Sequence, residues 1–311
     1  MRTRLLPSSN DSVVSEHSGH TTVLLHEAIE ILEIKPSDIV VDATLGGAGH
    51  FGLIADTLDE TGTLIGFDLD ESAIARAHTR VHETRAQTLF VHDNFRHIEK
   101  DLREKNISHV DKVVFDLGWS GYQLSAGRGF SFLADEPLRM TYSDGDTGLT
   151  AREIVNEWAE ESIADILYGW GEETAARRIA HAIVEARARA PIETSKQLGE
   201  IIREAVPAFM RHRRIHPATK SFQALRIAVN DELGALKDGL LSAWHMLATG
   251  GRISVITFHS IEDRIVKNIF AEWEHDGSGV RINRHVITPS SEELHNNPRA
   301  RSAKLRCIER I

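Results

Sequence analysis

The chain has a single cysteine, Cys307, in 311 residues. One thiol excludes an internal disulfide framework and any zinc site built on clustered cysteines. No apolar run approaches the ~18 residues that a membrane-spanning helix needs; the clean apolar stretches, such as residues 253–258, are strand-sized. The N-terminal residues lack the apolar core of a secretory signal, so the cytoplasm is the default expectation and no membrane partner is expected. No internal repeat is visible. The 17 histidines show no H-x-x-E-H or similar ligand spacing, so no metal is expected. Positive charge is also scarce: 36 Lys and Arg stand against 46 Asp and Glu, a formal charge of −10. On its own, that balance speaks against a polyanionic partner.

What is present is an ordinary globular composition, 41% hydrophobic and 26% charged, which excludes a mostly disordered chain. The length fits about two domains, or one large domain with an insertion. The charge is unevenly distributed. Residues 211–226 hold five basic side chains (Arg211, Arg213, Arg214, Lys220 and Arg226) and no acid, and residues 284–311 carry +3, so the remainder carries −18. A polyanion meets local patches before it meets the net charge, although such runs also occur as plain solvated faces.

Residues 1–19 are polar and aperiodic and read as a loose tail. An amphipathic helix is expected over 21–32. Short apolar runs follow at 39–43, 63–67, 88–92, 112–115 and 252–258, the first four about 25 residues apart with helix-like sequence between. That alternation predicts a mostly parallel sheet with crossover helices, an α/β fold of Rossmann-like type. The long gap before the fifth run is rich in Ala, Arg, Glu and Ile at helical spacing, which predicts a helical insertion over 124–215. One returning helix, with Phe222, Leu225, Val229, Leu233, Leu236 and Leu240 on one face, is expected between Pro217 and Gly250-Gly251. Stretches 280–287 and 303–309 read as closing strands.

Gly47-Ala48-Gly49-His50-Phe51-Gly52 matches G-x-G-x-x-G between a predicted strand and a helix. A nicotinamide dinucleotide site is one reading, with Asp68 as the ribose acid. A purely structural turn is another. The flanks favour a different ligand: the strand ends in Asp42-Ala43-Thr44-Leu45-Gly46, and Asp68 and Asp116 stand at two further strand ends. Three carboxylates around a glycine loop suit S-adenosylmethionine, which carries an ammonium and a sulfonium and no pyrophosphate. Each aspartate alone could equally be a helix cap.

Ordered blocks from His20 onward make the resemblance specific. They include His20-Thr21-Thr22-Val23-Leu24-Leu25, Asp116-Leu117-Gly118, Arg128-Gly129-Phe130-Ser131-Phe132, Gly171-Glu172-Glu173 and His216-Pro217-Ala218-Thr219. Further on come Phe222-Gln223-Ala224-Leu225-Arg226-Ile227, Phe258-His259-Ser260-Ile261-Glu262-Asp263-Arg264, and Asn297-Pro298-Arg299-Ala300-Arg301-Ser302. In this order they resemble the ribosomal RNA small subunit methyltransferase H family, whose members methylate the exocyclic N4 of a 16S rRNA cytidine. The resemblance implies a class I S-adenosylmethionine-dependent methyltransferase core, residues 20–123 and 216–311, interrupted by a helical recognition insertion. It carries cofactor contacts onto Ala48, Gly49, His50, Asp68, Phe95, Asp116 and Gln123, and makes 16S rRNA in the small subunit the partner.

Asp116 is the candidate catalytic residue, as the acceptor for an N4 hydrogen. Trp119 and Tyr122 are candidates for stacking on the displaced base, and Arg213, Arg214, Arg299 and Arg301 for RNA contact. The sequence departs from the family pattern at Ala48, where glycine is usual, and at Phe51, where a small serine is usual. It departs again at Trp119-Ser120-Gly121-Tyr122 and at Arg139-Met140-Thr141-Tyr142, changes that bear on target-base contact. His259-Ser260 near Asp263 has pieces of a hydrolase triad, but no G-x-S-x-G elbow exists; these residues are expected to shape the site floor. An NAD-linked oxidoreductase and a catalytically degenerate RNA-binding homologue are the alternative functions.

Overall fold

Short β-branched runs bounded by acids and glycines form strands, and the amphipathic stretches between them form helices that cover the sheet. The computed structural model describes residues 21–118, 127–142, 148–211 and 215–311. The first half runs α1 (Leu25–Glu30), β1 (Ile39–Asp42), α2 (Gly49–Thr57), β2 (Thr63–Phe67), α3 (Glu71–Arg80), β3 (Gln87–Val91), α4 (Ile98–Glu104) and β4 (Val110–Asp116). Helices follow: α5 (Ala151–Glu157), α6 (Glu160–Gly169), α7 (Ala176–Arg187), α8 (Ser195–Ala205) and α9 (Ala208–Arg211). Then α10 (Thr219–Asn230) and α11 (Glu232–Met246) lead back to β5 (Leu247–Thr257), α12 (Ser260–His275), β6 (Gly279–Arg281), α13 (Ser291–Asn296) and β7 (Lys304–Arg310).

The seven strands form one sheet in the order β3-β2-β1-β4-β5-β7-β6. The first five are parallel, with Asp42 of β1 opposite Gly66 on one side and Val114 on the other; β7 runs antiparallel to β5 and β6. This is the mostly parallel α/β sheet expected. The strand order reverses between β1 and β4, and ligands in open α/β sheets sit outside the carboxyl ends at such a switch point.

One face of the sheet buries Val41, Phe67, Phe115 and Val255 against Leu236, Leu240 and Phe270. The other buries Val40, Leu64 and Val114 against Phe51, Ile54 and Ala77. Phe51 fits because β2 carries Gly66 opposite it: a Cβ there would lie 2.8 Å from Phe51 Cε2 and 2.5 Å from Leu45 Cδ2. The helices α5 to α8 share their own cluster around Ile154, Ile163, Leu167, Ile179 and Leu198, which also takes in Phe222 and Leu225 of α10. Glu172 joins this block to the core, accepting from Ser260 Oγ at 2.8 Å and Arg264 Nη2 at 2.9 Å. Among the described residues, no helix is long and apolar enough to cross a membrane.

Three elements differ from expectation. The single returning helix is two helices, because Asp231 takes a left-handed conformation with φ 47°, which Asp and Asn tolerate better than most residues. The break is held from outside: Asn230 accepts from Tyr142 N and donates to Met140 O, and Arg96 pairs with Asp231 at 2.6 Å. The strand expected over 280–287 stops at Arg281, since the Asn283 side chain donates to Leu305 O and accepts from Cys307 N in place of the backbone ladder. The first helix is shorter than 21–32: Leu24 is left-handed at φ 49°, and its N–H donates to Glu293 Oε1. With Asn297 Nδ2 donating to Thr21 O, this ties the first sequence block to the last.

Candidate active site

The carboxyl ends of β1, β2 and β4 meet around the glycine loop. Asp68, just past β2, shapes the loop by accepting from Gly46 N and from Asp70 N, each at 2.9 Å. The Thr44 hydroxyl accepts from Asp116 N at 2.7 Å, locking the β1 loop to the end of β4. Gly49 opens α2 where a side chain has no room, since a Cβ would sit 1.9 Å from Thr22 Oγ1. The preceding residue, Ala48, takes φ 60° and ψ 25°.

These elements wall a cavity of about 650 Å³ with two chemically distinct ends. The glycine-loop end is lined by Gly46, Gly47, Gly49, His50, Asp68, Phe95 and Asp116. The other end is aromatic, with Phe130, Phe132, Tyr142, Phe222 and Phe258, and carries Gln223, Arg226 and His259. Phe130 lies over Tyr142 with ring centroids 5.8 Å apart, and Phe132 over His216 at 4.3 Å.

Electrostatically, the loop end is crowded with acids. Burial pushes Asp42 up to about 7; the Thr44 N–H opposes the rise and the Asp68 charge adds to it. Burial raises Asp68 as well, against the pull of the two backbone amides. Asp116 is held well above the ordinary carboxylate range by burial, then by the charges of Asp42 and Glu262. Its Oδ2 lies 3.5 Å from His50 Nδ1. Asp42 Oδ2 and Asp116 Oδ1 are buried with no hydrogen-bond partner among the described residues. Desolvated carboxylates with spare acceptor capacity fit a ligand that brings positive charge. By that test the residues suit a sulfonium cofactor.

Beneath the aromatic end lies an ion-pair network. Arg226 donates through Nε and Nη2 to the two oxygens of Glu232, and the Tyr142 hydroxyl donates to Glu232 as well. Burial opposes the Arg226 charge, but Glu232 outweighs it and keeps the guanidinium protonated. Burial would likewise raise Glu262; His259 and Arg226 prevail and hold it low. Glu232, His259 and Glu262 bring ligand-type atoms within 4.8 Å of one another. The Arg226 charge, paired with Glu232 and felt by Glu262, opposes a metal at that point.

Of the residues singled out in the sequence, Gly49, His50, Asp68, Phe95 and Asp116 line one cavity, and Arg299 joins them at its wall. Phe95 is set edge-on against Phe115 at 5.5 Å, and α11 makes room for it with Gly239, where a Cβ would meet the ring at 2.5 Å. Ala48 lies behind the loop, its methyl in the sheet core. Arg301 is exposed, away from the cavity lining. Trp119, Tyr122, Gln123, Arg213 and Arg214 lie outside the described residues. Tyr142, Arg226 and Glu232 were not expected as site residues, although Arg226 sits in the basic run and in one of the ordered blocks, and Tyr142 in a segment that departs from the family pattern. His259 lines the cavity and caps α12, while Ser260 is bound to Glu172, so the two form no triad.

The sequence pattern of the MraW methylase family matches residues 17–311. A protein of Brevibacillus brevis named ribosomal RNA small subunit methyltransferase H is 46% identical over 308 residues, covering 94% of this chain and 98% of its own length. A protein of the same name from a Paenibacillus strain is 46% identical over 314 residues, 94% and 99% of the two chains. Among solved structures, an rRNA methylase from Streptococcus thermophilus aligns over 94% of this chain and 99% of its own, at 10% identity and a TM-score of 0.44. The glycine loop, the acid-tipped strands and the aromatic chamber all fall within the stretch that the family pattern covers, and the chain belongs to the MraW methylase family.

Proposed function

We infer that the chain transfers the methyl group of S-adenosylmethionine to the exocyclic N4 of a cytidine in the 16S rRNA of the small ribosomal subunit. The observation that carries this reading is one cavity joining an acid-lined glycine loop to an aromatic chamber, in a chain whose relatives bear that name at 46% identity. The NAD-linked alternative rested on the glycine spacing alone, and family membership sets it aside. Residues 20–123 and 216–311 serve as the methyltransferase core, 124–215 as the recognition insertion and 1–19 as a tail. The cytoplasm is the expected place of action.

S-adenosylmethionine, when bound, supplies an electrophilic methyl group. Gly46, Gly47, Gly49 and His50 cradle the methionine end, Asp68 takes the ribose hydroxyls, and Phe95 offers an aromatic edge to the adenine. Gln123 belongs to the same set. The task of the remaining residues is alignment, because methyl transfer is an in-line displacement. Cytosine N4 is a weak nucleophile, its lone pair delocalised into the ring. Asp116 Oδ1, the unpartnered oxygen at the cavity floor, accepts one N4 hydrogen and localises that lone pair, while His50 steadies Oδ2. Asp116 then takes the proton that N4 gives up. The aromatic chamber receives the displaced base, with Trp119 and Tyr122 adding stacking surface; Arg299 and Arg301 take backbone phosphates, as do Arg213 and Arg214.

Replacing Asp116 by Ala is expected to lower methylation of small subunits that lack the modification by about 10²-fold or more. Calorimetry on the same variant shows whether the cofactor still binds. Near-normal turnover would remove Asp116 from the chemistry. A wild-type protein that binds RNA but yields no N4-methylcytidine by mass analysis would be the catalytically degenerate homologue.

A further inference from the structure

Arg226 is a cation in the cavity that methyl transfer leaves without a task. It is 8% exposed, on the α10 face that also brings Phe222 and Gln223 to the cavity wall. A buried charge must be compensated, and Glu232 does so through two parallel contacts, Nε to Oε1 at 2.7 Å and Nη2 to Oε2 at 2.8 Å. The Tyr142 hydroxyl donates to the same Oε1 at 2.8 Å, holding the carboxylate from a second side. Pairing of this kind fixes the plane of the guanidinium as well as neutralising it. It leaves Nη1 with no partner among the described residues, on a side chain that lines the cavity.

The chamber around it is mostly aromatic; of its other polar side chains, Gln223 donates to Trp170 O and His259 caps α12 beside Glu262. Stacking holds any flat base and leaves it free to turn in its own plane. Only a directional contact fixes which exocyclic group faces the cofactor end. We propose that Arg226 is a specificity-determining residue whose Nη1 donates to the keto oxygen O2 of the target cytosine, turning N4 toward Asp116. O2 and N4 flank N3 on one side of the ring, so a donor at one and an acceptor at the other define its orientation. Adenine, which also carries an exocyclic amine, has a C–H where cytosine has O2 and leaves the buried donor unpaired. The proposal rests on the reading of the site as a cytidine N4-methyltransferase.

The test compares small-subunit RNA carrying cytidine at the target with the same RNA carrying 2-thiocytidine, whose sulfur is a poor acceptor. Arg226→Gln combined with Glu232→Gln keeps a hydrogen-bonding pair and removes one charge of each sign, with His259 still paired to Glu262. On cytidine this variant is expected to lose about tenfold or more in kcat/KM, the worth of one hydrogen bond from a charged donor, with the affinity for S-adenosylmethionine unchanged. Going to 2-thiocytidine, wild type is expected to lose about tenfold and the variant less than about threefold, because the contact is already gone. Equal losses in the two proteins would make Arg226 a counter-ion of Glu232 alone and overturn the proposal. Tyr142→Phe loosens Glu232 without unpairing a charge and gives the comparison in a second background. An analogue penalty smaller than wild type's, by about threefold, supports the proposal there, and an unchanged penalty overturns it. A wild-type reaction that forms no N4-methylcytidine would instead bring down the methyltransferase reading itself.

Discussion

Ala48 holds a backbone conformation that ordinarily belongs to glycine, φ 60° and ψ 25°, at the cap of the helix that follows the loop. Left-handed backbone costs an L-residue about 1–2 kcal/mol. Against that, its buried methyl contributes roughly 0.8 kcal/mol, and alanine restricts the unfolded chain by about 0.4–1 kcal/mol relative to glycine. The terms nearly cancel, which accounts for alanine in a backbone conformation that ordinarily belongs to glycine. Ala48→Gly is therefore expected to change stability by no more than about 0.5 kcal/mol in urea unfolding. A shift beyond about 1.5 kcal/mol in either direction would show that one of the three terms is misjudged. At this scale the sequence is a good guide where a residue acts through a local motif: His50, Asp68, Phe95 and Asp116 follow strands or glycines and do share the cavity. It is a poor guide to Arg226, Glu232 and Tyr142, whose partnership spans about 90 positions between Tyr142 and Glu232 and leaves no spacing to read.

The strand ends act together. β1 and β4 are neighbours, with Asp42 beside Val114, so Asp42 and Asp116 stand at adjacent tips, Asp116 on the cavity wall and Asp42 buried outside the lining. Asp42 titrates at about 7 and Asp116 well above the carboxylate norm. Asp42 therefore keeps its proton over part of the range up to and beyond neutrality in the free protein, and Asp116 keeps its proton to higher pH than an ordinary carboxyl does. A cationic ligand favours the ionised forms. Binding must then release protons, and affinity must rise with pH through about 7 as the free protein loses those protons by itself. Calorimetry in two buffers of different ionisation heat is expected to detect the release near neutral pH, with less for S-adenosylhomocysteine, which lacks the sulfonium. No net proton release would mean that both acids are already ionised in the free protein. The strands themselves were readable because acids and glycines bound each apolar run; β2 falls at the expected 63–67. The break at Asp231 was not, because the apolar spacing of a helix continues through it from Phe222 to Leu240. What decides it is the contact of Asn230 with residues 140 and 142 and of Asp231 with Arg96.

Over the whole molecule, a formal charge of −10 has to be reconciled with an RNA substrate. Uneven charge along the chain offers a partial answer, and the fold narrows it further, since several of the basic residues already bond to other groups of the protein. Arg226 is buried on Glu232, Arg211 donates to the Val206 and Glu204 carbonyls, and Lys220 to the Glu172 carbonyl. Near the C-terminus, Lys304 and Arg306 both pair with Asp263 at 3.0 and 2.7 Å. Counting charges along the sequence could not separate these from Arg299 at the cavity wall and Arg301 nearby, because only the fold tells which cations are already spoken for. Phosphate contact, in this view, falls on a small number of arginines, and the salt dependence of RNA binding should be correspondingly shallow. Each lost phosphate contact lowers the slope of log K against log salt by about 0.7–0.9. Replacing Arg299 and Arg301 together by Ala is thus expected to flatten that slope by about 1–2 in binding titrations on small-subunit RNA, with S-adenosylmethionine affinity preserved. If the slope stays unchanged while binding stays intact, those two side chains meet solvent and not phosphate. The approach of an acidic body to RNA would then rest on Arg213, Arg214 and the shape of the aromatic chamber.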